Sequence, residues 1–178
     1  MKIHGTAKGA ALSTKDFGVA FTVAETGGTY TWTDCGSDDA TGIYYGTSEV
    51  GAWIRSGTLI GKKITKLTQK MYRIDASGNL TVIHKNDGGS TLSTSNVVAV
   101  NTLTTDTAYA NASSVEFIFD SPVAITADDT FQVSTNSADG RCKLWASNGV
   151  CDSYATGLTD RTTDLPNFTP RGAAEWES

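Results

Sequence analysis

The sequence predicts an all-β protein, an antiparallel jelly-roll β-sandwich that begins with an extended N-terminal arm. Threonine occurs 27 times and serine 16 times in 178 residues, and threonine favours the pleated, half-exposed surface of a strand. Leucine and glutamate, which commonly fill helices, are scarce. About ten short runs alternate apolar with polar residues between turn signals, a spacing typical of sandwiches and jelly rolls.

The chain divides into three predicted segments: an arm over residues 1–26, a jelly-roll sandwich over 27–157 and a C-terminal extended tail over 158–178. Within the arm, Phe17–Val23 alternates apolar residues with small or polar ones. A core strand and an arm docked on a neighbouring subunit explain this run equally well. The arm residues assigned to assembly are Lys2, Ile3, Phe17, Val19 and Phe21.

The first sandwich strands are predicted at Thr29–Thr33, Ile43–Tyr45 and Val50–Ile54, which are rich in β-branched and aromatic residues. Between them, Cys35–Gly42 is predicted as a loop because glycine, serine and aspartate are frequent in it. The sandwich therefore begins with short strands separated by polar connections.

The run Lys62–Asp75 is long enough for a strand or a helix, and we favour a strand. No helix-capping residue precedes it, and β-rich segments surround it. Ile64 falls on the wrong face of such a strand, and a β-bulge near Thr65–Lys66 would return it to the core. The helix alternative would group the apolar residues Ile64, Leu67, Met71 and Ile74.

A hairpin turn is predicted at Asp75–Gly78, with Asn79–Lys85 as the partner strand. Leu80, Val82 and His84 share one face of that strand, so we expect a core histidine rather than a catalytic base. The remaining elements are predicted as a turn at Asn86–Gly89, a loop at Ser90–Asn96, a strand at Val97–Leu103, a polar crossover between sheets at Thr104–Ser114, and strands at Val115–Phe119, Val123–Ile125 and Phe131–Val133.

Three stretches carry a recognisable order of elements: Gly61–Tyr72, Gly78–His84 and Val115–Phe131. They provide a long strand, a hairpin, a strand, a polar crossover, a Phe-x-Phe strand, a Pro-Val turn and an Asp-Asp-Thr turn. This order resembles jelly-roll modules of phage structural proteins, of microbial surface proteins and of proteins with carbohydrate-active domains. The opening, Lys2–Gly9 and Lys15–Phe21, is similar to the start of environmental tailed-virus proteins, in which it precedes variable β-domains.

The resemblance implies a non-enzymatic structural protein of tailed-virus (phage or archaeal virus) virions. Such a capsid-decoration, tail or fibre-type protein would assemble through its arm and expose its jelly roll. The expected partners are further copies of itself, in a homo-oligomer, and other virion or surface proteins, with glycans as an additional candidate. Two alternatives stay open: a carbohydrate-binding or adhesive cell-surface module, and a subunit of a self-assembling extracellular filament.

Exposed aromatic rings beside polar residues are common platforms for sugars. The candidate ligand-binding residues are Trp53, Trp145, Tyr44 and Tyr45. If Tyr44 and Tyr45 lie in a strand, one of the two rings must point outward. Core or rim packing is the competing explanation for the tryptophans.

We predict that the protein is not an enzyme, because the sequence carries no recognised catalytic constellation. It has no Gly-x-Ser-x-Gly elbow, phosphate-binding loop or dinucleotide fingerprint. The acidic pairs Asp38–Asp39 and Asp128–Asp129 are expected in solvated turns. No cofactor is predicted, and the alternative is a structural calcium ion. Its ligands would be Asp34, Asp38 and Asp39, with Asp75 or Asp87 as a distant partner.

The three cysteines leave at least one thiol unpaired within the chain. Cys142 and Cys151 are the possible disulfide. Between them, Asn148–Gly149 is a strong hairpin signal, and that hairpin would place Cys142 opposite Ala155 instead. The turn and the disulfide therefore compete, with buried or free thiols as the alternative, and no zinc-binding pattern occurs.

The formal net charge of -5 and the pI near 4.9 predict no nucleic-acid partner, since duplex-binding proteins usually carry a basic surplus. The basic residues within Lys62–Arg73 are expected on a solvated sheet face. No stretch reaches the ~20 apolar residues of a membrane span, so no membrane partner is predicted. No secretory apolar core is visible near Met1, and the expected location is the virion surface or the extracellular space.

Overall fold

Antiparallel strands form two sheets in the computed structural model, and one apolar core lies between them. The structure describes residues 26–31, 37–43, 50–54, 57–74, 76–136, 142–148, 155–158, 164–165, 168–170 and 172–178. Within these ranges the only helical segments are two short 3-10 turns, at Val100–Thr102 and Tyr109–Asn111. The prediction of an all-β protein with a sandwich-like pair of sheets is confirmed.

Each sheet has seven strands within the described ranges. Four strands of the first sheet are neighbours in the order β1 (Gly28–Thr31), β14 (Gly172–Glu177), β4 (Lys63–Arg73) and β8 (Ser113–Ile118). Strand β4 also pairs with β10 (Cys142–Asn148). Strand β10 in turn pairs with β2 (Ser37–Ile43) and β13 (Phe168–Pro170). The second sheet has the order β12 (Asp164–Leu165), β11 (Ala155–Leu158), β3 (Val50–Ile54), β9 (Asp129–Thr135), β5 (Asn79–Lys85) and β6 (Thr91–Thr94), with β7 (Val98–Ala99) also paired to β5.

The core forms where the inward residues of the two sheets meet. β5 strictly alternates buried and half-buried residues, as a strand with one face in the core requires. Phe117 from β8 and Phe131 from β9 are the bulkiest fully buried side chains. Phe119, just after β8, meets Phe131 edge to face with ring centroids 5.8 Å apart, so aromatic packing joins the two sheets.

A β-bulge interrupts β4 at Thr65, as the sequence predicts. Glu175 of β14 pairs with Lys66, while the next residue, Trp176, pairs with Ile64, so that Thr65 is the extra residue. The Thr65 hydroxyl donates to the Glu175 carbonyl at 3.2 Å. The extra residue turns Ile64 into the core, where it is buried, and the helix alternative for this run is wrong.

The hairpin predicted at Asp75–Gly78 is wrong, because β4 and β5 lie in opposite sheets. Both edges of β4 are already occupied, one by β8 and the other by β14 and β10. The chain must therefore cross to the second sheet after Arg73. The predicted crossover at Thr104–Ser114 is confirmed, since β7 belongs to the second sheet and β8 to the first.

The C-terminal extended tail predicted over 158–178 is also wrong for its last residues. β14 lies between β1 and β4 in the first sheet, and Ala174 is buried in the core. The sandwich therefore includes residues beyond the predicted boundary at 157. The signal was missed because Gly172 and the two alanines that follow have low intrinsic strand propensity.

Several predicted connections are strands in the structure. The predicted loop Cys35–Gly42 contains most of β2, and the predicted loop Ser90–Asn96 contains β6. The hairpin predicted at Asn148–Gly149 is wrong, since β10 and β11 belong to different sheets. In each case pairing with a distant strand overrides the local sequence signal, because the ladder hydrogen bonds come from tertiary neighbours.

Candidate functional site

A histidine and an aspartate from neighbouring strands form a hydrogen-bonded pair inside the core. His84 of β5 is 1% exposed and Asp129 at the start of β9 is 0% exposed. The His84 Nε2 atom lies 2.9 Å from Asp129 Oδ2. The imidazole also stacks on the Phe131 ring with centroids 4.3 Å apart. The prediction that His84 lies in the core with Leu80 and Val82 is confirmed.

Asp129 accepts two further hydrogen bonds, both from Thr126. The Thr126 N–H donates to Asp129 Oδ2 at 2.9 Å and the Thr126 hydroxyl donates to Oδ1 at 2.8 Å. Asp128 between them has a left-handed φ of 67°, which aspartate tolerates better than most residues. The expectation that Asp128–Asp129 is a solvated acidic pair is therefore wrong for Asp129, which is buried with three donors around it.

Burial lowers the pKa of His84, and the contact with Asp129 opposes that shift only in part. A neutral imidazole with its proton on Nε2 donates to the carboxylate, and this arrangement satisfies both groups without burying a second charge. With both groups this deeply buried, the pair ties β5 to the turn before β9. The described geometry thus supports a structural role for this pair.

We expect the free energy of unfolding to decrease as the pH falls below about 6.5, the ordinary pKa of histidine. Because the pKa of His84 is lowered in the folded state, the unfolded chain takes up the proton first, and protonation favours unfolding. The loss begins near the unfolded pKa and continues until the pH passes below the folded one. Urea unfolding between about pH 5 and pH 8 measures it.

The matched variant is His84→Gln, whose free energy of unfolding should lack the part of the pH dependence that comes from His84. The difference between the two curves removes the contribution of titrating groups remote from this pair, and its limiting slope is about 1.4 kcal/mol per pH unit. Parallel curves for the two proteins would contradict the assignment.

The outer face of the second sheet carries mainly uncharged polar residues. Register and alternation assign three residues of β5 and three of β9 to this face: Thr81, Ile83, Lys85, Thr130, Gln132 and Ser134. Gln132 and Thr130 are nevertheless buried. The Gln132 Nε2 donates to the Thr130 hydroxyl at 3.1 Å, whereas its Oε1 has no hydrogen-bond partner among the described residues.

An open depression lies where β5 begins and β9 ends, and we call it the edge pocket. Its volume is about 290 Å³, and its lining residues are Asn79, Thr81, Val97, Ser134, Thr135 and Asn136. The Asn79 N–H donates to Asn136 Oδ1 at 2.9 Å, and the Asn136 N–H donates to the Asn79 carbonyl at 3.2 Å. These two bonds hold the rim in place.

The outer face of the first sheet is charged and ion-paired. Lys66 lies 2.6 Å from Glu175 and 3.2 Å from Glu116, and hydrogen bonds to these carboxylates, first Glu175 and then Glu116, raise its pKa. The Lys62 ammonium lies 4.0 Å from the ring centroid of Trp176. This face therefore matches the prediction of a solvated sheet surface, with lysines paired to acids on adjacent strands.

The two tryptophans among the predicted ligand-binding residues lie on strands of different sheets, and their role stays a prediction. Trp53 lies in β3, opposite Thr130 in the second sheet, whereas Trp145 lies in β10, opposite Ala40 in the first sheet. Tyr44 and Tyr45 lie outside the described residues, as do the assembly residues Lys2, Ile3, Phe17, Val19 and Phe21.

The cysteine and calcium predictions fall partly outside the described ranges. Cys142 is buried in β10, while Cys151 is outside, so the disulfide stays a prediction. Asp38 and Asp39 lie in β2 rather than in a loop, and Asp34 and Asp75 are outside. Among the residues that the structure describes, no three histidine, cysteine, aspartate or glutamate side chains cluster as metal ligands would.

Sequence reasoning missed the link between Thr126 and Asp129. The signal was present, since the carboxylate of an acid can accept hydrogen bonds from the backbone of a residue three positions earlier. The edge pocket had no comparable local signal, because residues about 55 positions apart line it.

Comparison with known proteins finds no matching family model and no matching curated protein. In the described part of the chain, no helix has the length and apolar character to cross a membrane.

Proposed function

We propose that this chain is a jelly-roll structural protein of a virus particle that assembles through its N-terminal arm. The carrying observation is the strand order. Eight strands form the two main layers, in the orders β1-β14-β4-β8 and β3-β9-β5-β6. Numbered along the chain, these are strands 1-8-3-6 and 2-7-4-5, the order that two interleaved Greek keys produce.

The remaining strands fit this proposal as insertions. Along the chain, β2 lies between the first and second jelly-roll strands, β7 between the fifth and sixth, and β10–β13 between the seventh and eighth. They extend the sheets without interrupting the order of the eight. Fold alone does not assign a function; the virion role also rests on the sequence resemblance of the arm and of the long strands.

Strand β8 offers an edge at which a second chain could add a strand. The Ile118 N–H donates to Asn96 Oδ1 at 2.7 Å, and the Ile118 carbonyl accepts from the Asn96 N–H at 2.8 Å. The backbone N–H and C=O of Ile118 thus point away from β4, and because orientation alternates along a strand, those of Glu116 point the same way. The backbone of Phe119 points the other way, toward β4, and its N–H donates to the Thr65 carbonyl at 2.8 Å.

The edge of β8 is open over Ser114 and Glu116. Among the described strands β8 pairs only with β4, and both residues are exposed. Such an edge is a template for strand addition unless charge, proline or another segment protects it. Here the one charge is Glu116, which Lys66 partly neutralises at 3.2 Å.

The arm fits this edge in a neighbouring copy. It precedes β1, which is the opposite edge of the same sheet from β8. The alternating run Phe17–Val23 has the pattern of an added strand, with one apolar face. A contact from one edge to the opposite edge of the next copy is heterologous, and it closes into a ring if the rotation permits.

Three variants of the full chain test assembly by light scattering and electron microscopy. Wild type is expected to form rings or larger particles, and deletion of residues 2–23, which removes the alternating run Phe17–Val23 and leaves β1 intact, is expected to give folded monomers. Glu116→Pro should also give folded monomers, because it removes an N–H that faces away from β4 and leaves the ladder to β4 intact. Glu116→Gln keeps that N–H and should assemble like wild type.

Folding of each variant is checked by circular dichroism and by its thermal midpoint. A wild-type protein that stays monomeric at every concentration would contradict the proposal. Normal assembly of the deletion variant would show that the arm is not needed for assembly. If Glu116→Pro assembles normally while the deletion variant is monomeric, the arm must add to a sheet edge other than that of β8.

A further inference from the structure

We propose that the edge pocket binds one neutral sugar unit. The pocket is preformed, because the paired bonds between Asn79 and Asn136 hold its two sides together at 2.9 and 3.2 Å. Leu80 pairs with Thr135 in the adjacent step of the ladder. A ligand therefore meets a site on two rigid strands, which lowers the ordering cost of binding.

The lining chemistry selects for an uncharged polyol. None of the six lining residues carries a charge, so among the described residues of the pocket neither an anion nor a cation finds a charged partner. Asn79 and Asn136 supply amides and Thr81 and Ser134 supply hydroxyls, whereas Thr135 is buried opposite Leu80. Amides and hydroxyls both donate and accept, as do the hydroxyls of a sugar.

Val97 adds the apolar surface that such a site needs. Its side chain is 62% exposed and lies on the pocket wall. A sugar ring presents C–H groups as well as hydroxyls, and an apolar wall beside a few polar groups is the usual composition of a ligand pocket. The volume of about 290 Å³ suits a single ring rather than a long oligosaccharide.

The inference is independent of the proposed assembly, because all lining residues belong to one chain. A shallow open site of this kind is expected to bind with a Kd in the millimolar range. If the protein also forms a ring, several copies of the pocket would face the same surface and gain avidity. Only that gain depends on the proposed function.

The test is a titration of the isotope-labelled full chain with free monosaccharides, followed by amide chemical shifts. The probes are the methyl glycosides of neutral hexoses and of N-acetylhexosamines, up to about 100 mM. We expect saturable shifts at the lining residues with at least one probe. Thr81→Val should weaken that binding about fivefold, since it removes one hydroxyl at nearly constant shape.

The matched control is Thr68→Val, the same change at a half-buried strand position in the first sheet, which should bind like wild type. Val97→Asp, a surface change that removes the apolar wall, should abolish measurable binding. No saturable shift with any probe would overturn the inference, and so would equal affinity of Thr81→Val and wild type. The monomeric Glu116→Pro variant should keep the intrinsic affinity, which separates a failure of this site from a failure of the assembly proposal.

Discussion

The Asp129→Ala variant is expected to lose about 3–5 kcal/mol of its free energy of unfolding. Asp129 accepts three hydrogen bonds, one from His84 and two from Thr126. Alanine leaves a buried imidazole N–H and a backbone N–H without their acceptor, and burying such unpaired donors is costly. Urea unfolding monitored by tryptophan fluorescence measures the loss.

Two further variants test whether the loss of stability comes from the hydrogen bonds of Asp129 rather than from the removal of a carboxylate in general. Asp129→Asn keeps the shape but replaces one oxygen by a donor that faces another donor, so a smaller loss of about 1–3 kcal/mol is expected. Asp120→Ala, at an exposed position, should stay within about 0.5 kcal/mol of wild type. A loss for Asp129→Ala no larger than for Asp120→Ala would show that the buried pair does not stabilise the fold.

The Gly172→Ala variant is expected to lose about 3 kcal/mol or more. A Cβ atom at Gly172 would overlap the Thr68 carbonyl oxygen and approach the Thr68 carbonyl carbon at 3.0 Å. These atoms belong to the backbone of β4, so relief requires one strand to move away. Because β14 is the strand between β1 and β4, that movement weakens pairing on both of its edges.

The matched control is Gly88→Ala in the turn between β5 and β6. A Cβ there would meet only the Asn86 side chain, at 3.4 Å and beyond, and we expect a change within about 0.5 kcal/mol. Hydrogen exchange provides a second readout for Gly172→Ala, since protection should fall in β1 and β14 before it falls in β5. Equal stability of the two alanine variants would contradict the close approach of β14 to β4.

The sequence is sufficient to predict which residues of a single strand face the core. The alternation of β5 identifies His84 as a core residue, and the misplaced Ile64 identifies the bulge at Thr65. Both inferences need only the two-residue period of a strand and one buried face. The candidate ligand-binding aromatics are a different case, because Trp53 and Trp145 belong to different sheets.

The sequence by itself determined the all-β class, the core faces of the long strands and the crossover Thr104–Ser114, because hydrophobic period and turn composition are local properties. Tertiary structure alone decided which strands are neighbours: β4 is not paired with β5, and the weak strand β14 lies inside the first sheet. It also joined His84 to Asp129, 45 positions apart, and formed the edge pocket. The physical reason is that strand pairing satisfies backbone groups that carry no sequence information, so the partner is chosen by which edges remain open when the core closes.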